Sequence, residues 1–216
     1  MNDIDLKQKI LDELKWEPSI DAAHIGVTAH EGVVTLSGHV GSYSQKMAAE
    51  HATGRVAGVK GIAEEIEVRY TLNETHDDEN IAKQATHALQ WDLGVPNNKI
   101  MVKVEKGYVT LTGEVDWYFQ KQNAEADVRK LHGVMGINDQ IKLKSTVETK
   151  NLTNDINTAL HRSTFFNPSH ITVTADGGKV TLRGKVDNYY ERTLAQTTAW
   201  KARGVTQIEN LLTVNY

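Results

Sequence analysis

The chain has no cysteine. That absence excludes disulfide bridges and thiolate chemistry, and it is compatible with a reducing compartment. It also has no apolar run approaching the ~20 residues that a membrane-spanning helix requires. Its opening residues, MNDIDLKQKILDEL, alternate charge with aliphatics and lack the basic-then-apolar layout of a secretory signal. A cytoplasmic location is the expectation, with a periplasmic one as the alternative. Basic charge is not in excess either: 24 Lys and Arg stand against 28 Asp and Glu, a net charge of −4. Nothing therefore draws the chain as a whole toward a polyanion. Charged residues at 24% and apolar residues at 39% are ordinary for a soluble protein.

What the chain does have is one phrase written three times. VTLSGHV at 34–40 returns as VTLTGEV at 109–115 and VTLRGKV at 180–186. The frame repeats as well: IGVTAHEGVVTLSGHV (25–40) aligns without gaps on IMVKVEKGYVTLTGEV (100–115) and ITVTADGGKVTLRGKV (171–186). Downstream, GVKGIAEEIEV (58–68) matches GVMGINDQIKL (133–143) and GVTQIENLLTV (204–214). Both landmarks shift together, so the whole unit is duplicated: copy 1 is 1–72, copy 2 is 73–147 and copy 3 is 148–216. Units of roughly 70 residues sit near the lower limit at which a core stabilises itself. Copies 1 and 2 carry an acidic excess and copy 3 a mild basic one.

Periodicity predicts the same elements in each copy. Leu6, Ile10 and Leu14 recur as Ile81, Ala85, Leu89 and as Leu152, Ile156, Leu160, one stripe of a first helix. Asn151 or Thr153 suits its start in copy 3, and the carboxylates of HDDEN suit the positive end of its dipole in copy 2. Alternation then predicts a strand pair, with turns HEG, EKG and DGG. Gly38, Gly113 and Gly184 fall inside the second strand, where glycine implies a bulge or a helix packed close above. A second helix buries small residues, Ala49 and Thr53 with their equivalents, and Gly58, Gly133 and Gly204 stop it. A third strand follows from about Ile62. The order αββαβ, with a right-handed crossover, gives an α+β fold: three tandem units, each a three-stranded mixed sheet with two helices on one face.

These features, the V-T-L-x-G-x-V strand, the Tyr/Lys-bearing helix after it and the late G-V-x-x-I turn, resemble the BON domain of bacterial osmotically induced and envelope-associated proteins. All three copies carry the resemblance, and together they cover nearly the whole chain. It implies a non-catalytic binding module, with attachment to phospholipid or membrane surfaces the usual proposal. A protein-protein scaffold or adaptor without lipid affinity is the alternative.

Catalytic motifs are not found. GVKG and GVMG look like the backbone clamp of KH domains, but here the loop joins helix to strand, and copy 3 reads GVTQ, so nucleic acid is not an expected partner. Of nine histidines, only His24 and His170 are equivalent, and neither has a helical co-ligand, so neither a metal nor any other cofactor is expected. No nucleophile triad, phosphate loop or repeated carboxylate pairing is present. Tyr43, Tyr118 and Tyr189 recur, each followed three positions later by a base, Lys46, Lys121 and Arg192; the candidate surface residues are Tyr118, Tyr189 and the three bases, with the contact surface expected on copies 2 and 3 and copy 1 expected to be mainly structural. One reading wedges the tyrosine between sheet and helix and leaves the base solvated. The other makes the bases anchors for phosphate headgroups, since a base at a helix start opposes the dipole and asks for a partner. Aromatics outside the shared pattern, Trp117 and Phe119 in copy 2 and Tyr190 in copy 3, are expected to be exposed and to suit a membrane interface or a protein hot spot. Trp16 and Trp91 are expected at the core rim or between copies, with the TFF stretch (164–166) nearby in copy 3. The short linkers, NETHDDEN and KSTVETKN, imply limited freedom between copies, so that repetition serves avidity or a composite surface.

Overall fold

The computed structural model describes residues 2–70, 77–144, 151–162 and 170–214. The linker residues 71–76 and 145–150 and the TFF stretch lie outside these. Copy 1 runs α1 (Asp3–Trp16), a 3₁₀ turn (Ala22–His24), β1 (Ile25–His30), β2 (Val33–Val40), α2 (Tyr43–Arg55) and β3 (Gly61–Val68). Copy 2 repeats it as α3 (Asp78–Trp91), β4 (Ile100–Glu105), β5 (Tyr108–Val115), α4 (Tyr118–Arg129) and β6 (Gly136–Leu143). Copy 3 has α5 (Leu152–His161), β7 (Ile171–Asp176), β8 (Lys179–Val186), α6 (Tyr189–Trp200) and β9 (Gln207–Val214). The three sheets have the orders β1-β2-β3, β4-β5-β6 and β7-β8-β9. In copies 2 and 3 the hairpin is antiparallel and the crossover strand joins parallel, which makes each sheet mixed.

The helix stripes close each core. Leu6, Ile10 and Leu14 are buried, as are Ile81, Ala85, Leu89 and Leu152, Ile156, Leu160. Alternate strand residues meet them: Val34, Leu36 and Val40; Val109, Leu111 and Val115; Val180, Leu182 and Val186. Each fully buried leucine contributes about 1.5–3 kcal/mol relative to exposure. Ala49, Ala124 and Ala195 are fully buried on the second helices, where a small side chain lets helix and sheet approach. Caps fix the helix starts of copies 1 and 2: Asn2 accepts from Asp5 N, and Asp77 accepts from Glu79 N and Asn80 N. Asn151 holds the cap position of α5 but makes no side-chain cap bond.

The strand glycines have a physical cause other than a helix above them. Gly38, Gly113 and Gly184 sit at φ +106, +142 and +131, and an added Cβ would lie 2.0, 2.0 and 1.9 Å from the carbonyl oxygens of His24, Lys99 and His170. The carbonyl of the residue entering the hairpin occupies the space a side chain would need. The glycines after the second helices, Gly58, Gly133 and Gly204, also take positive φ. Beyond them, Lys60 N, Met135 N and Thr206 N donate to the turn glycines Gly32, Gly107 and Gly178, each at 2.9 Å, which ties hairpin to crossover.

Packing divides the chain into two bodies. The first comprises Met1–Val40, Gln45–Glu67 and Val147–Tyr216; the second comprises Gly41–Ser44 and Val68–Thr146. The second body thus takes in four residues from the copy 1 sequence around Tyr43. That ring packs on the core cluster of Ile81, Val109 and Leu111, while Ser44 Oγ donates to Arg129 O at 2.9 Å.

Candidate functional site

The three recurring bases are fasteners inside each unit. Lys46 Nζ donates to Ile66 O at 2.7 Å and pairs with Glu64. Lys121 Nζ donates to Ile141 O at 2.8 Å and sits 3.3 Å from Asp139. Arg192 uses Nε and Nη2 for Leu212 O and Asn210 O, at 3.1 and 2.9 Å. The third member also receives the strand backbone: Glu64, Asp139 and Asn210 accept from the N–H of Ile66, Ile141 and Leu212. Each second helix is thereby clipped to its crossover strand. This is the partner that a base at a helix start asks for: a strand carbonyl and, in copies 1 and 2, a carboxylate. Burial pushes the Asp139 carboxyl above the usual carboxylate range, against the opposing pull of the Ile141 N–H and Lys121.

The shared tyrosines do not all wedge within their own unit. Tyr43 lies on the core of the second body, and the Tyr189 ring lies against Gly54, where an added Cβ would be 3.1 Å from Cδ1. Tyr118 is half-buried, and burial, with Glu125 and Asp139 nearby, raises its phenol above the ordinary range. Helix starts are set by the residue before the base: Gln120 Oε1 accepts from Asp116 N and Trp117 N, and Glu191 accepts from Asp187 N while Asn188 accepts from Glu191 N.

Several apolar side chains of the second body are exposed at the close of α3 and the start of α4. Trp91 is 74% exposed and Leu93 fully so, at the close of α3. The expectation that Trp16 and Trp91 are core-rim or inter-copy residues fails, since Trp16 is 82% exposed. The sequence held the signal: each tryptophan is two residues past the last stripe leucine, about 200° around the helix from the buried face. Trp91 Nε1 donates to His87 Nε2 at 2.8 Å, which fixes the indole against its own helix. The loop after it lies on α4, because a Cβ at Gly94 would come 2.4 Å from Asn123 Nδ2. Phe119, half exposed, is on the same face of α4 one turn earlier, about 6 Å along the axis. Trp117, also partly exposed, precedes it. Trp91, Leu93 and Phe119 therefore flank one helix-helix edge. Beside it, burial and then the Asp92 carboxylate within hydrogen-bonding reach push the Asp127 carboxyl up.

Among the described residues no group of three or more His, Asp or Glu side chains is placed to hold a metal ion. No helix among them is long and apolar enough to cross a membrane.

The chain is similar to osmotically-inducible protein Y of Escherichia coli, 28% identical over 148 residues, covering 67% of this chain and 74% of the relative. Among solved structures, CdsD, a structural protein of the type III secretion system of Chlamydia trachomatis, aligns over 98% of this chain and 92% of its own. At 18% identity and a TM-score of 0.26, that likeness carries no inference. The sequence matches the BON domain family over 2–70, 77–145 and 148–216. Three matches spanning three αββαβ units place the chain in the BON domain family, as a tandem of three.

Proposed function

We propose that the chain is a non-catalytic, stress-associated binding module that attaches to phospholipid surfaces through the exposed apolar edge of its second body. The stress association is carried over from the name of the osmotically-inducible relative. The observation that carries the surface reading is Trp91 and Leu93 standing in solvent where the loop after α3 lies on α4, the helix that bears the exposed Phe119. Indole and phenyl rings next to an aliphatic side chain suit the headgroup boundary, where amphipathic aromatics partition. The bases take a different part from headgroup anchoring, since each is already held by a strand carbonyl.

This distinction sets the test. Attachment through bases weakens with salt, whereas attachment through apolar side chains persists. In flotation with vesicles of mixed anionic and zwitterionic phospholipid, the full chain is expected to float at low and at high salt. Burying one leucine-sized side chain is worth about 1.5–3 kcal/mol, so Trp91→Ser with Leu93→Ser lowers partitioning tenfold or more. Both side chains are exposed, so the unfolding temperature stays where it was. A chain that never floats, or a variant that floats as well as the parent, overturns the reading. The first of these outcomes favours the protein scaffold instead.

A further inference from the structure

We infer that the first body contains a recessed site for a free, compact organic cation of the methylated or quaternary ammonium class, formed where α2 faces α6. A cavity of about 290 Å³ opens there. That is at the small end of ligand pockets, so it admits a compact solute and no extended chain. Tyr189, Tyr190 and Leu194 line it from α6; Glu50, His51 and Gly54 line it from α2.

The space exists because of one residue. The helix position held by Gly54 is Arg129 in copy 2 and Trp200 in copy 3, and either side chain at 54 would run into the Tyr189 ring. The cavity is thus a feature of the α2–α6 pairing and is not written into the repeat.

Charge selects the ligand. Among the described residues Glu50 is the only carboxylate in the lining, and no lysine or arginine joins it. Among the described residues, neither the Glu50 carboxylate nor the Tyr189 and Tyr190 hydroxyls have a hydrogen-bond or ion-pair partner in the protein. An anion would face that carboxylate with no lysine or arginine to offset it. A neutral apolar guest would strip water from Glu50 and return nothing. A methylated ammonium meets both demands, because its methyl groups pack on tyrosine rings whose π faces attract the charge, and the carboxylate lies beside it. The cavity lies between two helices of one body, which favours a solute over a bilayer headgroup.

Calorimetric titration of the full chain with choline, and with its neutral carbon isostere 3,3-dimethylbutan-1-ol, tests this. Choline is expected to bind at least tenfold more tightly than the isostere. Glu50→Gln is expected to weaken choline at least threefold and Tyr190→Leu to weaken it similarly; both residues are at the surface, and unchanged melting curves confirm folding. Gly54→Trp, the residue copy 3 uses there, should abolish binding. Equal affinity for the two probes, no effect of either Glu50→Gln or Tyr190→Leu, or no binding of choline overturns the proposal. Phosphatidylcholine vesicles that displace choline would also overturn it, by giving the site to a lipid headgroup.

Discussion

Replacing Gly113 by alanine tests the account of the repeated strand. The added Cβ would stand 2.0 Å from Lys99 O, well over an ångström short of ordinary contact. The obstacle is backbone in the paired strand, since Gly113 is in register with Ile100 and Lys99 immediately precedes it. No flexible side chain can yield. To this is added the backbone itself: φ of +142 is territory that non-glycine residues enter at a cost of about 1–3 kcal/mol. Relief requires β4 to part from β5, which uncovers Val109 and Leu111, both fully buried. Strain and lost packing together should exceed about 3 kcal/mol, in the range that single substitutions reach only by a named structural fault. For a unit of this size each kcal/mol moves the midpoint by about 4–8 °C, so the second body should melt roughly 12 °C or more lower. Gly61→Ala is the control. Nothing lies within 4 Å of its Cβ position and its φ is ordinary, so it should be neutral or stabilise by about 0.4–1 kcal/mol. Calorimetry reads the midpoints, and hydrogen exchange at the Leu111 amide assigns the loss to copy 2. If Gly113→Ala falls within about 1 kcal/mol of Gly61→Ala, the close carbonyl is not what the glycine is for.

Two further perturbations probe the clip and the buried carboxyl. Lys121→Met leaves Ile141 O and Asp139 without their charged donor and should cost about 1–3 kcal/mol in denaturant unfolding, whereas Lys121→Arg should recover most of it, as Arg192 makes the same bridge in copy 3. A loss no larger than that of an exposed lysine would return the base to a solvated role. Asp127, whose carboxyl is raised by burial and by Asp92, binds its proton more tightly folded than unfolded. Its contribution to stability is therefore full below the unfolded carboxylate pKa of about 3.9 and is lost as pH rises through the folded value. Asp127→Asn should accordingly raise the melting temperature at pH 7, with the gain fading toward pH 4; a gain independent of pH would refute the assignment.

The fold was legible because duplication checks each periodic reading twice. The stripe of Leu6, Ile10 and Leu14 alone does not exclude chance; its recurrence around Ile81 and Ile156 does. What escaped reading depends on the backbone or on distant pairing. The interval from Lys46 to Ile66 recurs from Lys121 to Ile141 and from Arg192 to Leu212, but a carbonyl acceptor carries no residue-type signature, so the clip could not be seen. Gly38 announced that some atom needed its space, and only the register with Ile25 names that atom as His24 O. Trp16 and Trp91 were readable, because their angle from the stripe follows from helix geometry alone. The cavity beside Gly54 was not, since it requires α2 and α6 to meet across most of the chain's length.

Three copies of one fold invite the idea of three equal sites acting by avidity, and the side chains argue against it. The positions the copies share are spent on closure: the strand glycine admits a carbonyl, the base fastens a strand, and the small helix residues let α2, α4 and α6 lie close on their sheets. The positions they do not share are put to different uses. Ser44, Phe119 and Tyr190 occupy one equivalent site and do three different things: the serine hydroxyl bonds a helix carbonyl, the phenyl ring stands exposed, and the tyrosine walls a cavity. Gly54, Arg129 and Trp200 diverge in the same way. A surface repeated for avidity would hold its contact residues constant and let the rest drift. Here constancy serves closure while the varied positions differ in use from copy to copy, which is the distribution expected when a stable frame has been copied and each copy has been given separate work.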